Sequence, residues 1–177
     1  NRLIDGAEHR SKLPPGYNTY RRVGKEADYD RDMDNMRMLL CPLYITSFCL
    51  WDSLQHNAWH GAKQVIVISA SSKTSIGLGY ALAADTDAPT SIGLTSKRNQ
   101  EWVASLGLYD QTKNYDALDE IDASIPTVIV DMSGNSPLLA DIHAHLGDIL
   151  VHYLTVGITH MTSGSKATGS PARHTNR

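Results

Sequence analysis

The chain has 177 residues, 41% of them apolar and 20% charged, and a formal net charge of −3. That suits one domain with a sizeable core, and no overall basic field draws it to nucleic acid or an anionic membrane. No stretch reaches the roughly 18 uninterrupted apolar residues of a membrane span; the nearest, residues 39–54, is broken by Thr46, Ser47, Asp52 and Ser53.

Residues 1–37 read as polar and irregular, broken at Pro14-Pro15-Gly16. Asp28, Asp30, Asp32 and Asp34 alternate as in a calcium loop. Counted from Asp28, however, Met33 and Leu39 stand where such a loop needs glycine and glutamate. A solvated acidic segment is expected instead. Residues 39–55 read as a helix with a broad apolar surface and Pro42 in its first turn. Cys41 and Cys49 lie in it and are expected to be buried, reduced thiols, which favours a reducing compartment. No signal peptide is visible, although the chain opens on Asn1 and not on Met.

The periodicity then changes. Residues 64–69 (QVIVIS) form a β-branched run of the kind that is buried on both faces. A helix at 76–84 and a strand at 90–95 follow. Next come a helix at 99–106 closed by Gly107 and a weak strand at 110–115. A strong strand at 127–131 (TVIVD), a helix at 137–146 closed by Gly147 and a strand at 149–156 complete the series. Strands alternating with helices at short spacing predict an α/β fold: a Rossmann-like, doubly wound, mainly parallel sheet with helices on both faces. The expected organisation is an N-terminal extension and connecting helix over 1–60, the Rossmann-like domain over 61–160, and a polar tail over 161–177. The tail is rich in Ser, Gly and Thr and is expected to be mobile.

The segment after the first of these strands, Ser69-Ala70-Ser71-Ser72-Lys73-Thr74-Ser75-Ile76-Gly77, sits where dinucleotide folds hold pyrophosphate on free helix amides. Only Gly77 survives of the usual three glycines, with Ser72 and Thr74 in place of the others. Ser71, Ser72, Thr74 and Ser75 offer hydroxyls and Lys73 a charge. Two readings stay open: phosphate held through side chains, and a turn that has lost its ligand. A P-loop is not supported, because Val67 and Ser72 stand where its glycines belong. After the second strand, Ser96-Lys97-Arg98 replaces the carboxylate that NAD-binding proteins place there. If a dinucleotide binds, NADP(H) is favoured.

Two decoys lie nearby. Tyr109 and Lys113 match the Tyr-x-x-x-Lys spacing of short-chain dehydrogenases. That pair belongs on a long helix after the fourth strand, whereas Tyr109 precedes that strand. His143, His145, His152 and His160 suggest zinc, but His143 and His145 cannot share a helix face, so no metal is expected.

From Gln64 onward the order of signals resembles the cofactor half of medium-chain dehydrogenases/reductases, in particular the zinc-free quinone-oxidoreductase-like branch. The matching pieces are QVIVISASSKTSIGLGYALA, SIGLTSKRNQEWVASLGLYDQTKNYD, TVIVDMSGN and ILVHYLTVGITH. Upstream, Tyr20-Arg21-Arg22 and the run from Leu40 to Phe48 resemble a narrower, related domain-of-unknown-function family. The resemblance implies that Ser71, Ser72, Lys73, Thr74 and Gly77 form the pyrophosphate turn. It puts Ser96, Lys97, Arg98 and Tyr115 at the adenosine-phosphate end. It puts Met132-Ser133 and Gly157-Ile158 near the nicotinamide.

The roughly 60 residues before the first strand are too few for the β-rich substrate domain of whole superfamily members, so a substrate wall is expected to be missing. The implied function is NADP(H) binding, with hydride transfer to a carbonyl or activated alkene if the chain is active. The alternative is a degenerate Rossmann domain serving as a structural or accessory subunit of a larger assembly, with protein partners. No catalytic residue is assigned.

Overall fold

The computed structural model describes residues 2–156 and divides into two units, residues 1–42 and 43–177. Gly157, Ile158, His160 and the polar tail expected from the sequence lie outside the described residues.

The first unit is built by hydrogen bonds, because none of residues 2–42 is buried. Where the sequence read as irregular, β1 (Arg2–Ile4) and β2 (Thr19–Arg21) pair antiparallel, with Leu3 opposite Tyr20. The intervening loop is tied by Arg10. Its Nε donates to Asn18 Oδ1 at 3.1 Å, and its Nη2 donates to the Tyr17 carbonyl at 2.6 Å. Its charge also meets Asp5 at 3.2 Å. Arg21 and Arg37 both pair with Glu26.

Helix α1 (Asp34–His56) starts earlier than apolar periodicity predicts and carries Pro42 in its interior, not in its first turn. The polar residues Asp34, Asn35 and Arg37 extend it beyond the apolar run. A 3-10 turn at Arg31–Met33 leads in, with Asp30 accepting from the Asp32 amide at 2.9 Å. The expected burial of the cysteines is also corrected: Cys41 and Cys49 are both free and exposed. The inward positions of α1 are Ser47 and Leu54. Cys49 follows Ser47 by two residues, about 200° around a helix of 3.6 residues per turn.

The second unit is the α/β domain. Strands β3 (Gln64–Ile68), β4 (Thr90–Thr95), β5 (Gln111–Asn114), β6 (Thr127–Asp131) and β7 (Leu150–Thr155) form one sheet. All its pairings are parallel, in the order β5-β4-β3-β6-β7. In chain sequence that is third, second, first, fourth, fifth, the order of a Rossmann-like fold. The helices are α2 (Lys73–Ala84), α3 (Gln100–Ser105) and α4 (Ser136–Leu146).

The period of two sorts the central strands between two cores. Val65, Val67, Val128 and Val130 turn to one face, against Leu54 of α1 and Leu78 and Leu82 of α2. Ile66, Ile68 and Ile129 turn to the other, with Ile92 and Leu94 of β4 and Leu138, Ile142 and Leu146 of α4. A sheet covered on both faces reads in sequence as continuous apolar runs, which is why β3 and β6 stood out. No helix among the described residues is long and apolar enough to cross a membrane.

Candidate functional site

In an open parallel sheet, ligands sit beyond the carboxyl ends of the strands, where strand order reverses. Here that point lies between β3 and β6, whose ends are Ile68 and Asp131, paired in register. Two short segments flank it: residues 69–72, entering α2, and residues 132–135, entering α4.

The first segment is tighter than the sequence implied, because α2 begins at Lys73 and not at Ile76. The chain leaves β3 through Ser69, whose φ of +63° lies in the left-handed region. A non-glycine residue there costs roughly 1–2 kcal/mol and must be held by its surroundings. Two contacts hold the turn: the Ala70 amide donates to the Leu94 carbonyl at 3.0 Å, and the Ser72 amide to the Ser69 carbonyl at 2.8 Å. Ser72 then caps α2, its Oγ accepting from the Ser75 amide at 3.2 Å and bonding Ser75 Oγ at 2.8 Å. Ser75 is buried, so of the four hydroxyls in the segment it does not face outward. The amides of Lys73 and Thr74 have no hydrogen-bond partner among the described residues. The Lys73 side chain is exposed.

Ser71 joins this turn to the end of β4. Its Oγ accepts from Thr95 Oγ1 at 3.3 Å and from Asn99 Nδ2 at 3.0 Å. Beyond β4, Ser96 is half-buried and opens a 3-10 turn that carries Lys97 and Arg98 into solvent. Tyr115, just past β5, donates its amide to the Thr95 carbonyl at 3.0 Å. Its hydroxyl meets Ser69, and burial pushes the phenol above its ordinary pKa against the opposing bonds from Ser69. Ser69, Ser71, Thr95, Asn99 and Tyr115 therefore form one polar cluster along the ends of three strands.

On the other side of the reversal point, Asp131 is fully buried. Its Oδ1 accepts from the Ser133 amide and Oγ, both at 2.7 Å. Its Oδ2 accepts from the Gly134 amide at 3.2 Å and from the Tyr153 hydroxyl at 3.2 Å. The carboxylate thus shapes the loop carrying Ser133 and ties it to β7. Desolvation raises the Tyr153 phenol above its ordinary range.

Gly77 lies inside α2 and has a packing role: a β-carbon there would come within 2.6 Å of Ser47 Oγ on α1. Ser47 in turn donates to the Thr74 carbonyl at 2.7 Å. Tyr109 is likewise built in. Its hydroxyl donates to the Ser75 carbonyl at 2.8 Å, and burial pushes it well above the ordinary phenol range. Lys113 is paired with Glu120 at 2.8 Å instead of with Tyr109. The histidines separate as well: His145 bonds the Ile121 carbonyl, His143 meets the Tyr153 ring edge, and His152 stacks on His60. Among the described residues no group of three or more His, Cys, Asp or Glu side chains could hold a metal ion.

Sequence reasoning had singled out Ser71, Ser72, Lys73, Thr74, Ser96, Lys97, Arg98, Tyr115 and Ser133, and all stand at this end of the sheet. It missed Ser69, Thr95, Asn99, Asp131 and Tyr153. The aspartate ending a buried strand was a usable signal, and Ser69 lay in the quoted turn without a role; Thr95, Asn99 and Tyr153 had no signal.

Over residues 1–176 the sequence matches the family described as "Protein of unknown function (DUF2855)", and the chain belongs to that family. Comparison with curated proteins gives no match, and comparison with solved structures gives none.

Proposed function

We propose that this DUF2855 member binds NADP(H) along the carboxyl edge of its sheet, as the cofactor half of a zinc-free, medium-chain-reductase-like protein. The observation that carries this reading is the opening of α2. The amides of Lys73 and Thr74 have no partner among the described residues, and Lys73 adds a positive charge at the positive end of a helix dipole. The residues present fit a phosphate without the missing glycines. Ser71 accepts two bonds and keeps its own hydrogen to donate. Thr74 adds a hydroxyl.

At the adenosine end, Lys97 and Arg98 supply positive charge, and no carboxylate precedes Glu101 after β4. That arrangement suits a 2′-phosphate and repels nothing. Tyr115 and Ser96 border it. Ser133, oriented by Asp131, borders the far end of the crevice. When bound, the nicotinamide supplies the hydride, and the protein's share is to hold it against a carbonyl or activated alkene.

One observation favours a competing reading, a degenerate domain retained as a structural or accessory subunit. Ser72 already takes the Ser75 amide, one of the donors that a phosphate would use. Equilibrium titration with NADPH and NADH separates the two. The cofactor reading expects saturable NADPH binding, weaker NADH binding, and loss of the preference in Arg98→Ala. A folded chain that binds neither nucleotide supports the subunit reading.

A further inference from the structure

Away from the sheet edge, α1 and the end of α2 line an open cleft of ≈ 420 Å³. That lies within the roughly 300–1,000 Å³ of sites that take small molecules. Tyr44, Phe48 and Trp51 recur on one face of α1 and line one wall. Ala81 and Ala84 of α2 keep the opposite wall low, and Asp85, just after α2, closes it.

The wall is preorganised. The Trp51 indole N–H donates to Asp85 Oδ2 at 2.9 Å, which fixes both the ring and the carboxylate. Phe48 meets Trp51 at 5.4 Å between centroids, with their planes inclined by 50°, so the two rings make a corner. Asp85 Oδ1 accepts the Asp87 amide at 2.9 Å. No lysine, arginine or histidine among the described residues pairs with Asp85, and none lines the cleft.

Three aromatic rings and an unneutralised carboxylate combine two sources of negative potential. The ring quadrupole attracts cations, and most strongly those that water holds weakly, such as alkylated ammonium groups. The carboxylate gives the charge a fixed counter-ion. An anion or a neutral polar ligand would gain from neither.

We propose that this cleft is a binding site for a free small molecule carrying a quaternary or alkylated ammonium, independent of the site at the sheet edge. The charge complementarity selects the cation, and the size of the cleft selects a small molecule over a macromolecular segment.

The test is calorimetric titration of the full chain with choline, at constant ionic strength, against its neutral isostere 3,3-dimethylbutanol. Saturable choline binding at least tenfold tighter than the isostere is expected. Tyr44→Ala and Phe48→Ala, at exposed positions, should each weaken choline about 2–5-fold. Asp85→Asn, which keeps an acceptor for Trp51, should weaken it about tenfold or more. Circular dichroism of each variant checks that the fold is intact. Equal binding of choline and the isostere, or no binding of choline to the folded chain, overturns the proposal. So does binding to phosphatidylcholine vesicles without binding of free choline.

Discussion

Ser69 takes up the left-handed backbone that glycine adopts most readily. The left-handed residue sits at the exit of β3, three positions before the helix cap, and Tyr115 and Leu94 hold it there. The side chain that this turn presents most openly is Lys73. Lys73→Ala should weaken NADPH binding by about 1.5–3 kcal/mol, the range for a hydrogen bond to a charged group, without lowering the urea midpoint. An unchanged affinity removes Lys73 from the site. Tyr109 carries the opposite expectation. Tyr109→Phe deletes only the bond to the Ser75 carbonyl and should cost about 0.5–1.5 kcal/mol of stability, with nucleotide affinity unchanged. Gly93→Ala is the severer change. Its β-carbon would lie 2.6 Å from the Tyr109 ring, and overpacking of this kind costs typically 1–3 kcal/mol. Urea denaturation of both variants reads the difference.

At the scale of elements, the connection from α1 to β3 stores strain. Ala58, Trp59, His60 and Gly61 are consecutive left-handed residues with φ of 49°, 55°, 53° and 79°. Trp59 buries into the core and anchors the turn, while His60 stacks on His152 of β7 at 3.7 Å. Desolvation, and then the charge of His60, hold His152 below the ordinary histidine pKa of 6.5. In the unfolded chain His152 titrates near 6.5, so on acidification the unfolded state takes up the proton first. Stability is therefore fully present above that pH and falls as pH drops from about 6.5 toward the lower folded value. The urea midpoint should fall between pH 7.5 and 5.5, and His152→Asn should flatten that dependence. A variant as acid-sensitive as the parent would assign the slope to other groups.

Elements differed in how far the sequence revealed them. The bounds of β4 and β6 were both read to the residue: β6 is a buried apolar run, whereas β4 carries only Ile92 and Leu94 as large apolar residues. The starts of α1 and α2 were missed by several residues. Each begins in polar residues, Asp34 and Lys73, whose helical state is set by a capping side chain or a preceding 3-10 turn and not by apolar period. The small β1–β2 sheet had no apolar alternation to announce it, because neither strand is buried. The exposed cysteines were misjudged because residue type predicts burial only when the inward face of the helix is known. The place of candidate residues at the sheet edge was legible where it followed chain order, as at Ser71, Lys97 and Arg98. It was not where it needed tertiary contact, as between Asn99 and Ser71 or Tyr153 and Asp131.

At the scale of the whole molecule, the proposed function requires the carboxyl edge of the Rossmann-like sheet to hold a phosphorylated dinucleotide. A ligand that binds only the folded state must raise the unfolding midpoint, by about 2.7 kcal/mol of added stability at a hundredfold excess over its dissociation constant. The most direct measurement is thermal unfolding of the full chain with and without millimolar NADPH and NADH. A rise with NADPH, and a smaller or absent rise with NADH, is the predicted result. A cooperative transition that neither nucleotide moves would contradict the cofactor assignment.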